Sequence, residues 1–223
     1  KPLPLTFRIR QTADPDAVKA FQSKLAKISS DRIRPSTFAL LYDDNNCSRM
    51  TAPAYQATCS KAALTAEMKQ LLLVYSQNGV VTRQELGSML PVTALHQAGY
   101  LKQRSSKVCL QMLDMCASPG SKMLRALELI LTGTATAQNN TAAQQKKSKR
   151  AALLVANDIL ESRLEALQQA VTRSGMPRTN QITYTCQDAT RLELRAATSG
   201  GNENKALSAA LLQFDVILCD VPC

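Results

Sequence analysis

The chain has 223 residues, 45% of them hydrophobic and 20% charged, which suits one large or two small folded domains and excludes a disordered polymer. No apolar stretch approaches the roughly 20 residues needed to cross a bilayer, and no signal-peptide pattern opens the chain, so a soluble protein of the nucleus or cytoplasm is expected. A formal charge of +10 and a pI near 9.4 favour a polyanionic partner, nucleic acid first, because each phosphate contact by Lys or Arg releases counterions.

In chain order, Leu3 to Arg10 alternates apolar with polar or basic residues after Pro4, as a half-buried strand does, with its basic side chains on one face. Arg8, Arg10, Arg32 and Arg34 are the candidate phosphate contacts. Asp14-Pro15-Asp16 supplies a cap and first turn for a helix from about Ala17 to Ile28, in which Val18, Phe21, Leu25 and Ile28 recur at helical spacing. Asp43 to Pro53 reads as a polar loop. Leu64 to Tyr75 reads as an amphipathic helix ahead of an Asn78-Gly79 turn. A small α/β module is therefore expected over residues 1–79 and a second domain over 80–223.

From Val108 onward four apolar runs recur, Val108 to Asp114, Ala151 to Asp158, Gln181 to Asp188 and Phe214 to Asp220, each ending in an aspartate. Helical patterns at Ser121 to Leu131 and Ile159 to Thr172 lie between them, which is the alternation of an open parallel sheet. Thr132 to Arg150, with its basic end Lys146-Lys147-Ser148-Lys149-Arg150, and Thr198 to Lys205 read as polar surface insertions. The chain begins without a methionine directly in a strand-like run and stops directly after another, so both ends are expected to be cuts.

Ligands of open α/β sheets bind outside the carboxyl ends of the strands. Carboxylates there suit a ligand rich in hydroxyl and amino donors, such as a nucleoside without phosphates. Asp114 is the acid expected only to end its strand or cap a turn. The loop Asp114 to Lys122 has neither G-x-G-x-x-G nor G-x-x-x-x-G-K-[ST], which removes most support for NAD(P) and nucleoside triphosphates. Its Pro119-Gly120 turn opens a helix whose free N–H groups can receive a carboxylate. Seven cysteines form no C-x-x-C pair and there is one histidine, His96, so no metal site is expected. Cys109, Cys186 and Cys219 sit within apolar runs and are expected to pack in the core.

The run Leu113-Asp114-Met115-Cys116-Ala117-Ser118-Pro119-Gly120-Ser121-Lys122 resembles the L-D-M-C-A-A-P-G-S-K motif of the Nop/Sun RNA (cytosine-5) methyltransferases, with Ser118 in place of an alanine. Arg83-Gln84-Glu85-Leu86-Gly87-Ser88-Met89-Leu90-Pro91 is similar to the R-Q-E-x-x-S-M-x-P that precedes their catalytic domain. Ala156-Asn157-Asp158, Gln187-Asp188-Ala189 and Leu218-Cys219-Asp220-Val221-Pro222-Cys223 follow in the family's order. The resemblance covers residues 80–223, with Pro2 to Ile9 a weaker match to the family's RNA-binding part.

The resemblance implies an incomplete Rossmann-like methyltransferase domain behind a small N-terminal α/β RNA-binding module, with S-adenosylmethionine as cofactor and RNA, tRNA foremost, as substrate. It places the methionine moiety on Cys116, Ala117, Ser118, Pro119, Gly120, Ser121 and Lys122, the ribose hydroxyls on Asp158 and the adenine amino group on Asp188. Asp220 would lie beside both cofactor and cytosine, with Lys122 close to each. Cys223 would help to resolve an enzyme–RNA adduct, whereas the family's nucleophilic cysteine follows a later strand. This chain alone is therefore expected to be inactive. Two thiols are wanted because one must add to cytosine C6 to make C5 nucleophilic, and another group must help it leave. The alternatives are a non-catalytic RNA-binding protein that keeps the fold, and an NAD-dependent oxidoreductase, against which the missing glycine fingerprint argues.

Overall fold

The computed structural model describes residues 4–28, 31–36, 54–101, 110–136, 152–176, 182–194 and 213–221. The expected loop at 43–53, the basic run at 146–150, the insertion at 198–205, and Cys109 and Cys223 lie outside these residues.

The first unit is an antiparallel sheet of order β2-β3-β1-β4, formed by β1 (Thr6–Ile9), β2 (Ile33–Pro35), β3 (Ala54–Ala57) and β4 (Val81–Arg83). Helices α1 (Pro15–Ile28) and α2 (Ala66–Gln77) pack on each other over it. Asp14 caps α1 by accepting the Ala17 N–H at 2.9 Å, ahead of Pro15, whose fixed φ suits a first turn. Thr65 caps α2 through the Met68 N–H at 3.2 Å. Both helices begin close to their expected starts, and each turns one apolar stripe inward: Phe21 and Leu25 from α1, Met68, Leu72 and Tyr75 from α2. These surround Phe7, whose ring meets Phe21 edge-on at 6.1 Å and stacks on Tyr55 at 5.2 Å.

The chain passes the expected boundary at residue 79 while still within the first sheet. The Asn78-Gly79 turn, with Gly79 at φ 72°, does not lead out of the module. It returns the chain into β4, which pairs antiparallel with β1 in the register Phe7↔Arg83, Arg8↔Thr82 and Ile9↔Val81. The chain then enters α3 (Leu86–Gln97), whose Val92 joins the second core.

That second core belongs to a parallel sheet of β5 (Leu110–Asp114), β6 (Ala152–Asp158), β7 (Ile182–Cys186) and β8 (Val216–Leu218). Its order is β7-β6-β5-β8, so successive strands step outward on one side and the chain then crosses back to the other side of β5. The gap between β5 and β8 is the switch point at which such sheets bind ligands. Helices α4 (Ser121–Thr136) and α5 (Glu161–Ser174) supply the crossovers. Met112, Leu127, Leu154 and Leu167 are completely buried between them. Among the described residues β8 is paired on one side only, and Ile217 is 56% exposed. Among the same residues no helix is long and apolar enough to cross a membrane.

The two units meet through β1. Phe7 and Ile9 face the first core, while Thr6, Arg8 and Arg10 point the other way and are also buried. Arg8 Nη1 bonds Glu128 Oε2 of α4 at 2.5 Å, and its Nε donates to Gln84 Oε1 at 2.7 Å. Arg10 Nη1 donates to the carbonyl of Ser174, the last residue of α5, at 2.5 Å, and Nε to Thr82 Oγ1 at 2.7 Å. Arg8 and Arg10, expected as phosphate contacts, thus lie on a face of the strand that the second unit covers, with both guanidinium groups bonded to protein acceptors. Arg32 and Arg34 remain exposed.

Candidate functional site

The carboxyl ends of β5, β6, β7 and β8 form one edge, and a single buried side chain ties three of its loops. Asn157, fully buried at the end of β6, donates from Nδ2 to Met115 O at 3.0 Å and to Gln187 O at 2.9 Å. Its Oδ1 accepts from Gln187 N at 3.1 Å and from Thr185 Oγ1 at 2.9 Å. All four hydrogen-bonding positions of the carboxamide are filled, which fixes the exits of β5, β6 and β7 relative to one another. The Asn157 carbonyl in turn accepts from Ala117 N at 2.8 Å, and Met115 N donates to Leu218 O at 2.9 Å, which adds β8.

Ala117 to Gly120 turns tightly into α4, with Gly120 N bonded to Ala117 O at 2.7 Å. Glycine is required at position 120 on two counts. Its φ is +97°, and a Cβ there would overlap the Leu167 side chain of α5. The loop consequently lies against α5 with the first N–H groups of α4 facing the edge. Cys116 is partly buried, and burial, then the neighbouring Cys219, pushes its thiol up from the ordinary range, so it is not an activated nucleophile.

The carboxylates occupy different environments. Asp158 is buried; its Oδ2 accepts from Ser118 N at 3.3 Å and Arg163 Nε at 3.2 Å, and its Oδ1 from Leu160 N at 3.3 Å. Asp188 is fully exposed and caps the turn Ala189–Arg191, where the Thr190 N–H and hydroxyl hold its carboxyl below the usual range. Asp220 is exposed and ion-paired with Lys122, a contact that joins the first loop to the end of the fourth strand. Asp114 accepts the Cys116 N–H, as expected of a strand-ending acid, yet it is 1% exposed and its Oδ1 has no partner among the described residues. Burial raises its pKa to about 6 against the pull of that N–H and of Lys122.

The structure therefore brings Cys116 to Lys122, Asp158 and Asp220 to one edge with Asp188 at the neighbouring strand end, and leaves Arg32 and Arg34 on the other unit. Two expectations fail there: Cys186 and Cys219 are exposed, not packed, because both lie where a strand leaves the sheet. Sequence reasoning missed Asn157 as the organising residue and Arg163 as the partner of Asp158. An asparagine within an otherwise apolar strand was the available signal for the first. Among the described residues no group of His, Cys, Asp and Glu could hold a metal ion.

A parallel sheet of this order, with a small-residue loop after its first strand and acids at its strand ends, is a Rossmann-like α/β architecture. The chain is similar in sequence to eukaryotic tRNA cytosine-C5 methyltransferases. It is 27% identical over 231 residues to the multisite-specific tRNA:(cytosine-C(5))-methyltransferase of Saccharomyces cerevisiae, covering 100% of this chain and 29% of that protein. To the tRNA (cytosine(34)-C(5))-methyltransferase of Drosophila melanogaster it is 30% identical over 156 residues, 70% of this chain and 17% of that protein. Among solved structures, a methyltransferase homologue from Pyrococcus horikoshii aligns with a TM-score of 0.46 at 17% identity, over 85% of this chain and 45% of that one. No protein-family model matches the chain. The chain spans about three-tenths of the length of the yeast enzyme.

Proposed function

We propose that this chain supplies the cofactor-binding part of an S-adenosylmethionine-dependent enzyme that methylates cytosine C5 in RNA, with tRNA as the substrate class. The observation that carries the reading is the single edge on which the Cys116 to Lys122 loop, Asp158 and the Lys122–Asp220 pair converge, with Asp188 at the adjoining strand end. The donor set suits the cofactor. The first N–H groups of α4 can take its carboxylate, Asp158 its ribose hydroxyls and Asp188 its adenine amino group. When bound, the cofactor supplies an electrophilic methyl group.

The chain's own residues then bind, orient and set charge. Asp158 already has three protein donors, and a carboxylate offers about four lone-pair positions, so two ribose hydroxyls must displace one of them. Arg163, with its side chain 43% exposed, is the donor free to leave. The Lys122 side chain is only 14% exposed, and Asp220 holds its ammonium beside the gap between β5 and β8. A positive charge at that point would lower the pKa of a thiol brought to this edge.

Calorimetric titration of the chain with S-adenosylhomocysteine tests the reading. Asp158→Ala is expected to weaken binding by about 1.5–3 kcal/mol, the value of a charge-assisted hydrogen bond. Equal affinities in variant and parent would remove Asp158 from the site, and no heat in either would remove the cofactor.

A further inference from the structure

A cleft lies between the two units. It encloses about 560 Å³, a size ordinary for ligand sites. Three arginines line it: Arg10 from the end of β1, Arg83 from the end of β4 and Arg173 from the last turn of α5. None of its lining residues is acidic. Pro119 and Ser121 form another part of the wall, so the cleft borders the back of the proposed cofactor loop.

The arginines are not equivalent. Arg10 is buried and committed to Ser174 O and Thr82 Oγ1. Arg83 and Arg173 are exposed, and among the described residues neither has an ion pair or a side-chain hydrogen bond. Two guanidinium groups brought from different units to one concave surface, beside a third and with no carboxylate in its lining, make a site suited to an anion. The planar fork of each group matches two oxygens of a phosphodiester.

We infer that this cleft grips the RNA backbone, Arg83 and Arg173 each contacting a phosphate while Arg10 holds the wall between them. The inference rests on the proposed function for the identity of the anion. It moves the RNA contact from the outward-facing arginines of β1, where the sequence pattern pointed, to the seam between the units. A backbone held there passes directly beside the loop at which the methyl donor would sit.

The test is a fluorescence-anisotropy titration of the chain with an unmodified tRNA transcript over a salt series, with S-adenosylhomocysteine affinity measured on the same samples. Arg83→Gln with Arg173→Gln should weaken RNA binding at least tenfold near physiological salt. It should also lower the log–log salt slope by about 1.4–1.8, the value of two lost phosphate contacts, and leave S-adenosylhomocysteine binding unchanged. The double lysine variant, Arg83→Lys with Arg173→Lys, should restore the slope but not the full affinity, because it keeps the charges and loses the forks. Unchanged affinity and slope in the glutamine variant would overturn the inference, as would loss confined to an Arg32→Gln, Arg34→Gln variant. A parent chain that binds no RNA would overturn it too. S-adenosylhomocysteine binding judges the cofactor reading separately in every arm.

Discussion

Asp114 shows how much of a site's electrostatics is set by burial. Its carboxyl is folded away with one oxygen unpartnered, and its pKa rises from 3.8 to about 6. The sign follows from proton binding: between those values the folded chain holds a proton that the unfolded chain has lost, so raising the pH destabilises the fold. The penalty is absent below pH 4, grows through pH 6 and is complete above it, reaching about 3 kcal/mol. Asp114→Asn keeps the acceptor for the Cys116 N–H and removes the charge. Urea unfolding should find it equal to the parent near pH 4 and more stable by up to about 3 kcal/mol at pH 8. A stability difference independent of pH would mean that Asp114 is ionised throughout. The sequence places this aspartate at a strand end, but it cannot say how deeply the strand end is covered, and depth makes Asp114 different from Asp188.

Among the elements, the loop into α4 was the most legible because its residues act locally. Proline and glycine before an amphipathic run specify a turn and a helix start without reference to anything distant. What the sequence did not reveal is that Gly120 also admits Leu167 of the next helix. Gly120→Ala should therefore cost more than the usual price of a positive φ, about 3 kcal/mol or more, since overpacking adds to backbone strain. Thermal unfolding with and without S-adenosylhomocysteine checks this; a loss below 1 kcal/mol would show that α5 can move aside. Strand β4 was illegible for the opposite reason. Three residues after an Asn-Gly turn carry almost no periodic signal, and only pairing with β1, more than 70 residues earlier, makes them a strand. The burial of the β1 arginines was not legible because alternation reports that a strand has two faces, not what covers the second.

In the whole molecule, what covers that second face is a buried ion cluster. Glu128 receives Arg8 from the first unit at 2.5 Å and Arg125 from its own helix at 3.3 Å, all three side chains being at most 3% exposed. Removing the shared carboxylate takes the counter-charge from two buried cations, whereas removing Arg8 leaves the carboxylate its ion pair with Arg125. Glu128→Gln is thus expected to lower stability by about 3–5 kcal/mol, and Arg8→Met by clearly less, in denaturant unfolding of the full chain. Equal losses would show that Arg125 does not compensate. The cluster also bears on how the units find their relative angle. Water solvates separated charges as well as a partner does, so an ionic seam contributes little net attraction, and the apolar clusters of each unit are complete without it. Its effect lies in what it penalises. A docking angle that buried Arg8 or Arg10 away from these acceptors would cost several kcal/mol for each ion. The seam acts as a lock that admits one key and supplies little glue, and the groove that the two units enclose inherits its shape from that selectivity.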